Sequence, residues 1–207
     1  MGSLQPSAPP PPALGSDEYL HVCELKAAGN QSFQRGEFAD AARLYEEALD
    51  TYFAGWSIES VACSDLDKLS YMHIKSRDGS AGEQFDDKVK LLSNLAECLL
   101  REERYSDAWM VANQALHLDG TCVKARVRRC KAEIALVTRR SNDKSIHGTI
   151  SEDMSPQADC DLDTLEMMKK LGVSGVPTLN ALRKEASAAC NLHFEKVRAR
   201  VGRVEVS

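Results

Sequence analysis

No stretch of the 207-residue chain approaches the run of about 18 apolar residues that a membrane-spanning helix needs. Lys and Arg are absent from the first 25 residues, which argues against the basic opening of a secretory signal and against an Arg-rich organelle presequence. The expected address is the cytosol. Aromatic residues make up only 6%, too few for an aromatic-rich β-sandwich, while 43% apolar residues argue against a disordered chain. No two of the seven cysteines (23, 63, 98, 122, 130, 160 and 190) are spaced Cys-x-x-Cys, and their number is odd. They read as reduced, mostly buried thiols rather than a disulfide frame. The histidines lack His-x-x-x-His and Glu-x-x-His spacing, so no metal site is expected. A Gly-rich phosphate loop is missing too, as is any defensible Ser/His/Asp or Cys/His set. No catalytic residue, no cofactor and no enzymatic activity are expected.

Proline is nearly absent after residue 16, where only Pro156 and Pro177 occur, but residues 1–16 hold Pro6 and four prolines in a row at 9–12. Fixed φ angles and missing N–H donors bar this head from a helix interior or a central strand, so 1–16 is read as a disordered arm. The charge is uneven. Residues 1–120 carry 20 acidic and 10 basic side chains, whereas 121–207 carry 11 acidic and 16 basic. An anionic partner for the second half is one implication, and a solvated surface is the other.

What the chain does have is helical periodicity. Leu20, Cys23, Leu25 and Ala28 precede Gly36, and Phe38, Ala41, Ala42, Tyr45, Ala48 and Leu49 follow it. Two amphipathic helices joined at a glycine make an αα-hairpin. A second pair runs through Val89, Leu92, Leu95, Ala96, Leu99 and Leu100, then Tyr105, Ala108, Ala112, Ala115 and Leu116. The spacing repeats. Shifting by 67 residues places Gly29 on Ala96, Phe38 on Tyr105, Ala41 on Ala108 and Ala48 on Ala115, and a further 34 places Ala96 on Cys130. Small residues recur where paired helices touch, because a larger side chain would force them apart.

On these residues the chain resembles a tetratricopeptide repeat protein. Residues 25–48 resemble one repeat (Leu25, Ala28, Gly29, Phe33, Phe38, Ala41, Tyr45, Ala48), residues 89–120 a second, and residues 123–138 the first helix of a third. The resemblance implies an all-α, right-handed superhelical solenoid of three antiparallel hairpins closed by a capping helix. Repeat one then spans 17–54, repeat two 86–120 and repeat three 121–172. An insertion occupies 55–85, a polar loop 139–157, a capping helix 177–201 and a tail 202–207. The third repeat's second helix is placed near 158–171, using Leu162, Leu165, Met168 and Leu171. The cap is expected to bury Leu179, Leu182, Ala186, Ala189, Cys190, His193, Phe194 and Val197. Four positions depart from the family pattern: Leu25 replaces Trp, Glu103 replaces a turn Gly, and Arg126 and Glu133 replace apolar residues.

First helices line the hollow of such a solenoid. Lys26 and Asn30 are i and i+4 on one of them, with Phe33 continuing the face; Lys124 and Arg128 are i and i+4 on another, and Asn94 lies between. Cations and carboxamides together suit a ligand presenting two carboxylates on one residue, as a C-terminal Asp does. The set resembles the carboxylate clamp of co-chaperones of the immunophilin-like kind. That resemblance implies binding of Glu-Glu-Val-Asp tails of the seventy- and ninety-kilodalton heat-shock chaperones, with Phe33 against the tail's apolar residues and a client held elsewhere. A scaffold that binds an internal peptide is the alternative.

Other signals are set aside. Five basic residues within 124–131 lack interleaved aromatics in an acidic chain, so nucleic acid is not expected as a partner. Residues 159–163 open like a calcium loop, but Thr164 replaces the needed Gly and Lys170 the bidentate Glu. Residues 172–178 read as a helix stop followed by a helix start.

Overall fold

A computed structural model describes residues 14–53, 80–142 and 157–204. Residues 1–13 of the Pro-rich arm, residues 54–79 with most of the insertion expected at 55–85, residues 143–156 of the polar loop expected at 139–157, and the last three residues lie outside the described residues. Among those described, every regular element is an α-helix: α1 (Ser16–Arg35), α2 (Phe38–Phe53), α3 (Ser80–Arg101), α4 (Tyr105–Leu118), α5 (Val123–Asn142), α6 (Gln157–Lys170) and α7 (Asn180–Val204).

The turns explain the pairing. α1 stops because Gly36 takes the left-handed conformation (φ 81°), and the N–H groups of Gly36 and Glu37 return to the carbonyls of Phe33 and Ser32 at 3.0 Å each. That arrangement satisfies carbonyls the helix end would otherwise orphan. The same bonds recur 67 residues on, from Glu103 to Leu100 (3.2 Å) and from Arg104 to Leu99 (2.9 Å). Here the left-handed residue is Glu103 itself, at φ 58°, a conformational load that a glycine would not carry. Gly172, at φ 78°, closes α6 in the same manner.

Each helix packs on its neighbours in sequence: α1 on α2, α2 on α3, α3 on α4, α4 on α5, and α5 on α6 and α7, while α3 also touches α1 and α5. One apolar cluster fills α1 to α4 and the inner side of α5, with Val22, Tyr45, Leu91, Leu99, Ala108, Ala115, Leu118 and Ala125 wholly or almost wholly buried. A second cluster joins Cys130, Ile134 and Val137 of α5 to Leu162 and Leu165 of α6 and to Leu179, Leu182, Ala186 and Ala189 near and on α7. α5 is therefore the divider between two cores.

Several expected core positions lie outside. Leu20, Leu171 and Phe194 are exposed, and Cys190 with them. The buried stripe of α1 runs Val22, Leu25, Gly29, Ser32, and Leu20 lies off it. Leu171 falls past the last residue of α6, in the turn. On α7 the stripe Leu182, Ala186, Ala189 continues towards His193, leaving Phe194 about a quarter-turn away. The thiols are less buried than expected: Cys98 and Cys130 are buried, Cys23 and Cys122 half-buried, Cys160 and Cys190 exposed. None of these six is in a disulfide. Helix bounds shift by a few residues: α3 begins at Ser80, α5 runs on to Asn142, and α7 starts three residues after Pro177.

One long-range clasp fixes the N-terminal end. The Gln84 side chain accepts from the Leu14 N–H (3.1 Å) and donates to the Leu14 carbonyl (3.2 Å), joining positions 70 apart in sequence.

Candidate functional site

The helices that carry the candidate residues are α1, α3 and α5, and α3 stands between the other two. Its polar residues Asp87, Lys90, Asn94, Glu97 and Arg101 recur every three or four positions, so they form one stripe along the helix. That stripe organises the site.

At its first end, Lys26 of α1 donates to Asp87 Oδ1 at 2.8 Å. Asp87 also accepts from the Tyr19 hydroxyl (2.8 Å) and from Lys90 (3.3 Å), and its side chain is only 7% exposed. Burial pushes the Asp87 carboxyl up, but the hydrogen bonds from Lys26 and Tyr19 and the charge of Lys26 prevail and hold it below the ordinary range. Tyr19 is shifted the other way: burial and the bond to Asp87 both raise its phenol.

In the middle, Asn30 and Asn94 meet. Asn30 Oδ1 accepts from the Tyr45 hydroxyl at 2.7 Å and from Asn94 Nδ2 at 3.4 Å. The amide of α1 is thereby oriented by α2 and α3 together, with its own NH2 group on the side away from both donors. Burial pushes the Tyr45 phenol up to about 12, so it stays a donor at any ordinary pH.

At the other end, Arg128 of α5 reaches over α3. Its Nε donates to Glu97 Oε2 at 3.1 Å, and its NH1 donates to Ser93 Oγ. Glu97 Oε1 accepts from Arg101 Nε at 3.0 Å, one helical turn further along α3. Burial would raise the Glu97 carboxyl, but the Arg101 hydrogen bond and the charge and hydrogen bond of Arg128 outweigh it and hold it low. Lys131 adds its field to the same carboxylate.

Of the six expected residues, Asn30 and Asn94 are in contact, and Arg128 joins the same α3 stripe through Ser93 and Glu97. Lys26 joins it through Asp87. Lys124 is exposed one turn before Arg128. Phe33 has a half-buried ring that packs edge-on against Phe38, 5.2 Å between centroids, inside the first hairpin. Two cations counted as waiting for a ligand are already matched by carboxylates of α3. Asp87 and Glu97 were missed because the cations were read helix by helix. The acid–base alternation along α3 was the available signal.

The chain is similar to Protein unc-45 homolog B of Danio rerio. The two are 29% identical over 109 residues, which is 53% of this chain and 9% of that protein. No family model matches the chain, and no solved structure matches it.

Away from the stripe, a second polar cluster holds the third helix pair. Asp161 of α6 is wholly buried and accepts from Arg126 NH1 (2.8 Å), Arg129 NH2 (2.7 Å) and Arg129 Nε (2.9 Å). Arg126 also donates to the Gly120 carbonyl (2.7 Å), and Arg129 to Asn113 of α4. The unexpected cation at position 126 is thus the counterpart of an acid on the following helix. Among the described residues no group of His, Cys, Asp or Glu side chains is placed to hold a metal ion, and no helix is long and apolar enough to cross a membrane.

Proposed function

We propose that the chain is a non-enzymatic co-chaperone or adaptor, with its helix pairs stacked as a tetratricopeptide solenoid whose hollow, lined by α1, α3 and α5, takes the Glu-Glu-Val-Asp tail of a heat-shock chaperone in the cytosol. The observation that carries this reading is the contact between Asn30 and Asn94, with Arg128 anchored on the neighbouring Ser93. Two carboxamides and a guanidinium from three successive first helices meet on one stripe. Lys26 and Lys124 each lie one turn before a member of that set, Asn30 and Arg128. Charge-assisted hydrogen bonds from such a set to the two carboxylates of a terminal Asp are worth roughly 1.5–3 kcal/mol each.

The test is calorimetric titration of a Glu-Glu-Val-Asp-terminated peptide as free acid and as amide, against the protein and Lys124→Glu. The free acid should bind, more weakly in higher salt, and both amidation and the charge reversal should weaken it at least tenfold. Equal binding of acid and amide ends this reading.

One observation favours a second reading. Because Lys26 and Arg128 already pair with Asp87 and Glu97, the hollow carries less net positive charge than its cations alone provide. A scaffold that holds an internal peptide needs no free carboxylate and would be indifferent to amidation.

A further inference from the structure

Arg128 presents two edges on which a carboxylate can make paired hydrogen bonds, one formed by Nε–H with a terminal NH2 group and one formed by both NH2 groups. Two of its three nitrogens already hold a guest. Glu97 sits on Nε and Ser93 on NH1, and the Arg128 side chain is only 14% exposed. A carboxylate entering the hollow therefore meets a guanidinium whose Nε edge is taken by a charged group and whose NH1 is bonded to a neutral one. Ser93 is a neutral guest that competes weakly with a charged one. Glu97 is a charged guest and competes on equal terms.

Glu97 also has somewhere to go. Its other oxygen is bonded to Arg101, its i+4 partner, whose guanidinium is more than half exposed, and Lys131 is close enough to act on the same charge. Leaving Arg128 does not strand the carboxylate without a counter-ion. Two arrangements of one side chain follow: Glu97 shared between Arg101 and Arg128, as observed, or Glu97 held by Arg101 alone with the Nε edge of Arg128 open.

We propose that Glu97 is an internal competitor for Arg128, displaced onto Arg101 when a dicarboxylate ligand enters, and that it sets the affinity of the hollow and its selectivity for doubly charged chain ends. The proposal deepens the reading above, resting on the hollow as a carboxylate site. A ligand with a single carboxylate cannot offset the displaced bond with a second new one, so the competitor discriminates against it. The opposite role is also physically clear. Were Glu97 a brace that holds Arg128 in position for the ligand, its loss would weaken binding.

The two roles give opposite results in one experiment. The Arg128 Nε–H resonance is followed by NMR while the full chain is titrated with N-acetylaspartate, the smallest mimic of a terminal Asp, and with the tail peptide. Glu97→Gln should bind N-acetylaspartate about tenfold more tightly than wild type. Glu97→Asp keeps the charge but is too short to span both arginines, and it should tighten binding as well. Unchanged or weaker binding in Glu97→Gln overturns the proposal. So does tightening in Glu97→Gln with none in Glu97→Asp, which would assign the effect to net charge alone. Free-acid and amidated peptides on the wild type separate the two ideas. Equal binding of those peptides with tightening toward N-acetylaspartate would remove the chaperone tail and keep the competitor, whereas the reverse pattern would remove only the competitor.

Discussion

Gly29 and Tyr45 compete for one volume: a β-carbon on Gly29 would lie 2.7 Å from Tyr45 Cε1 and 3.0 Å from Cδ1. The second hairpin divides the same space differently. There the matching positions are Ala96 and Ala112, both fully buried, so a methyl on each helix replaces a bare backbone against a ring.

Replacing Gly29 with Ala should therefore destabilise the protein by about 1–3 kcal/mol, even though Ala is the better helix former by about 1 kcal/mol. The ring cannot retreat without giving up its bond to Asn30. Urea unfolding followed by circular dichroism measures the loss. A gain in stability would mean that the ring yields freely and that the close approach carries no energy.

Glu103 offers the opposite opportunity. A side chain in the left-handed conformation costs roughly 1–2 kcal/mol, partly offset by the greater chain entropy that glycine loses on folding. Glu103→Gly should raise stability by about 0.5–1 kcal/mol, visible as a higher melting temperature. The same substitution at the neighbouring Glu102 should not.

Asp161 holds two guanidiniums in a buried place. Asp161→Asn leaves them without a counter-charge and should cost about 3–5 kcal/mol, the range for breaking a buried ion pair. Amide hydrogen exchange should quicken first in α6 and α7, because the acid ties α6 to α5. A loss below about 1 kcal/mol would show that the cluster is only a satisfied surface network.

Acid should weaken the α3 stripe in a defined window. Asp87 and Glu97 are both held below their ordinary values in the folded protein, so the unfolded chain binds protons first as pH falls. Their contribution is complete above the unfolded values, about 3.9 for Asp and 4.3 for Glu, and drains away as pH drops through the lower folded ones. The double variant Asp87→Asn with Glu97→Gln should lose less stability than wild type between about pH 5 and pH 2. Parallel curves would remove these carboxylates from the acid response.

Helix type and pairing were legible because they rest on local spacing: Ala41, Ala48, Ala108 and Ala115 repeat in register and all are buried. The contact between Asn30 and Asn94 is consistent with the register that put them on neighbouring helices, α1 and α3. Ion pairing was not legible. Lys26 and Asp87 are 61 positions apart, and Arg129 and Asp161 are 32 apart. No periodicity within one helix reports such a match. Exposure at the ends of stripes was misread for a related reason. The apolar character of Leu171 and Phe194 is visible in sequence, but the residue at which the helix stops, or turns its face, is decided by neighbours.

Gln84 grips both the N–H and the carbonyl of Leu14, as an adjoining strand would, so the residue just ahead of α1 borrows its backbone partners from a helix that begins 66 positions later. Any trimmed version of this protein that starts beyond Leu14 would leave that amide facing water at the root of α3. Shortening the chain at its front is thus felt first in its middle.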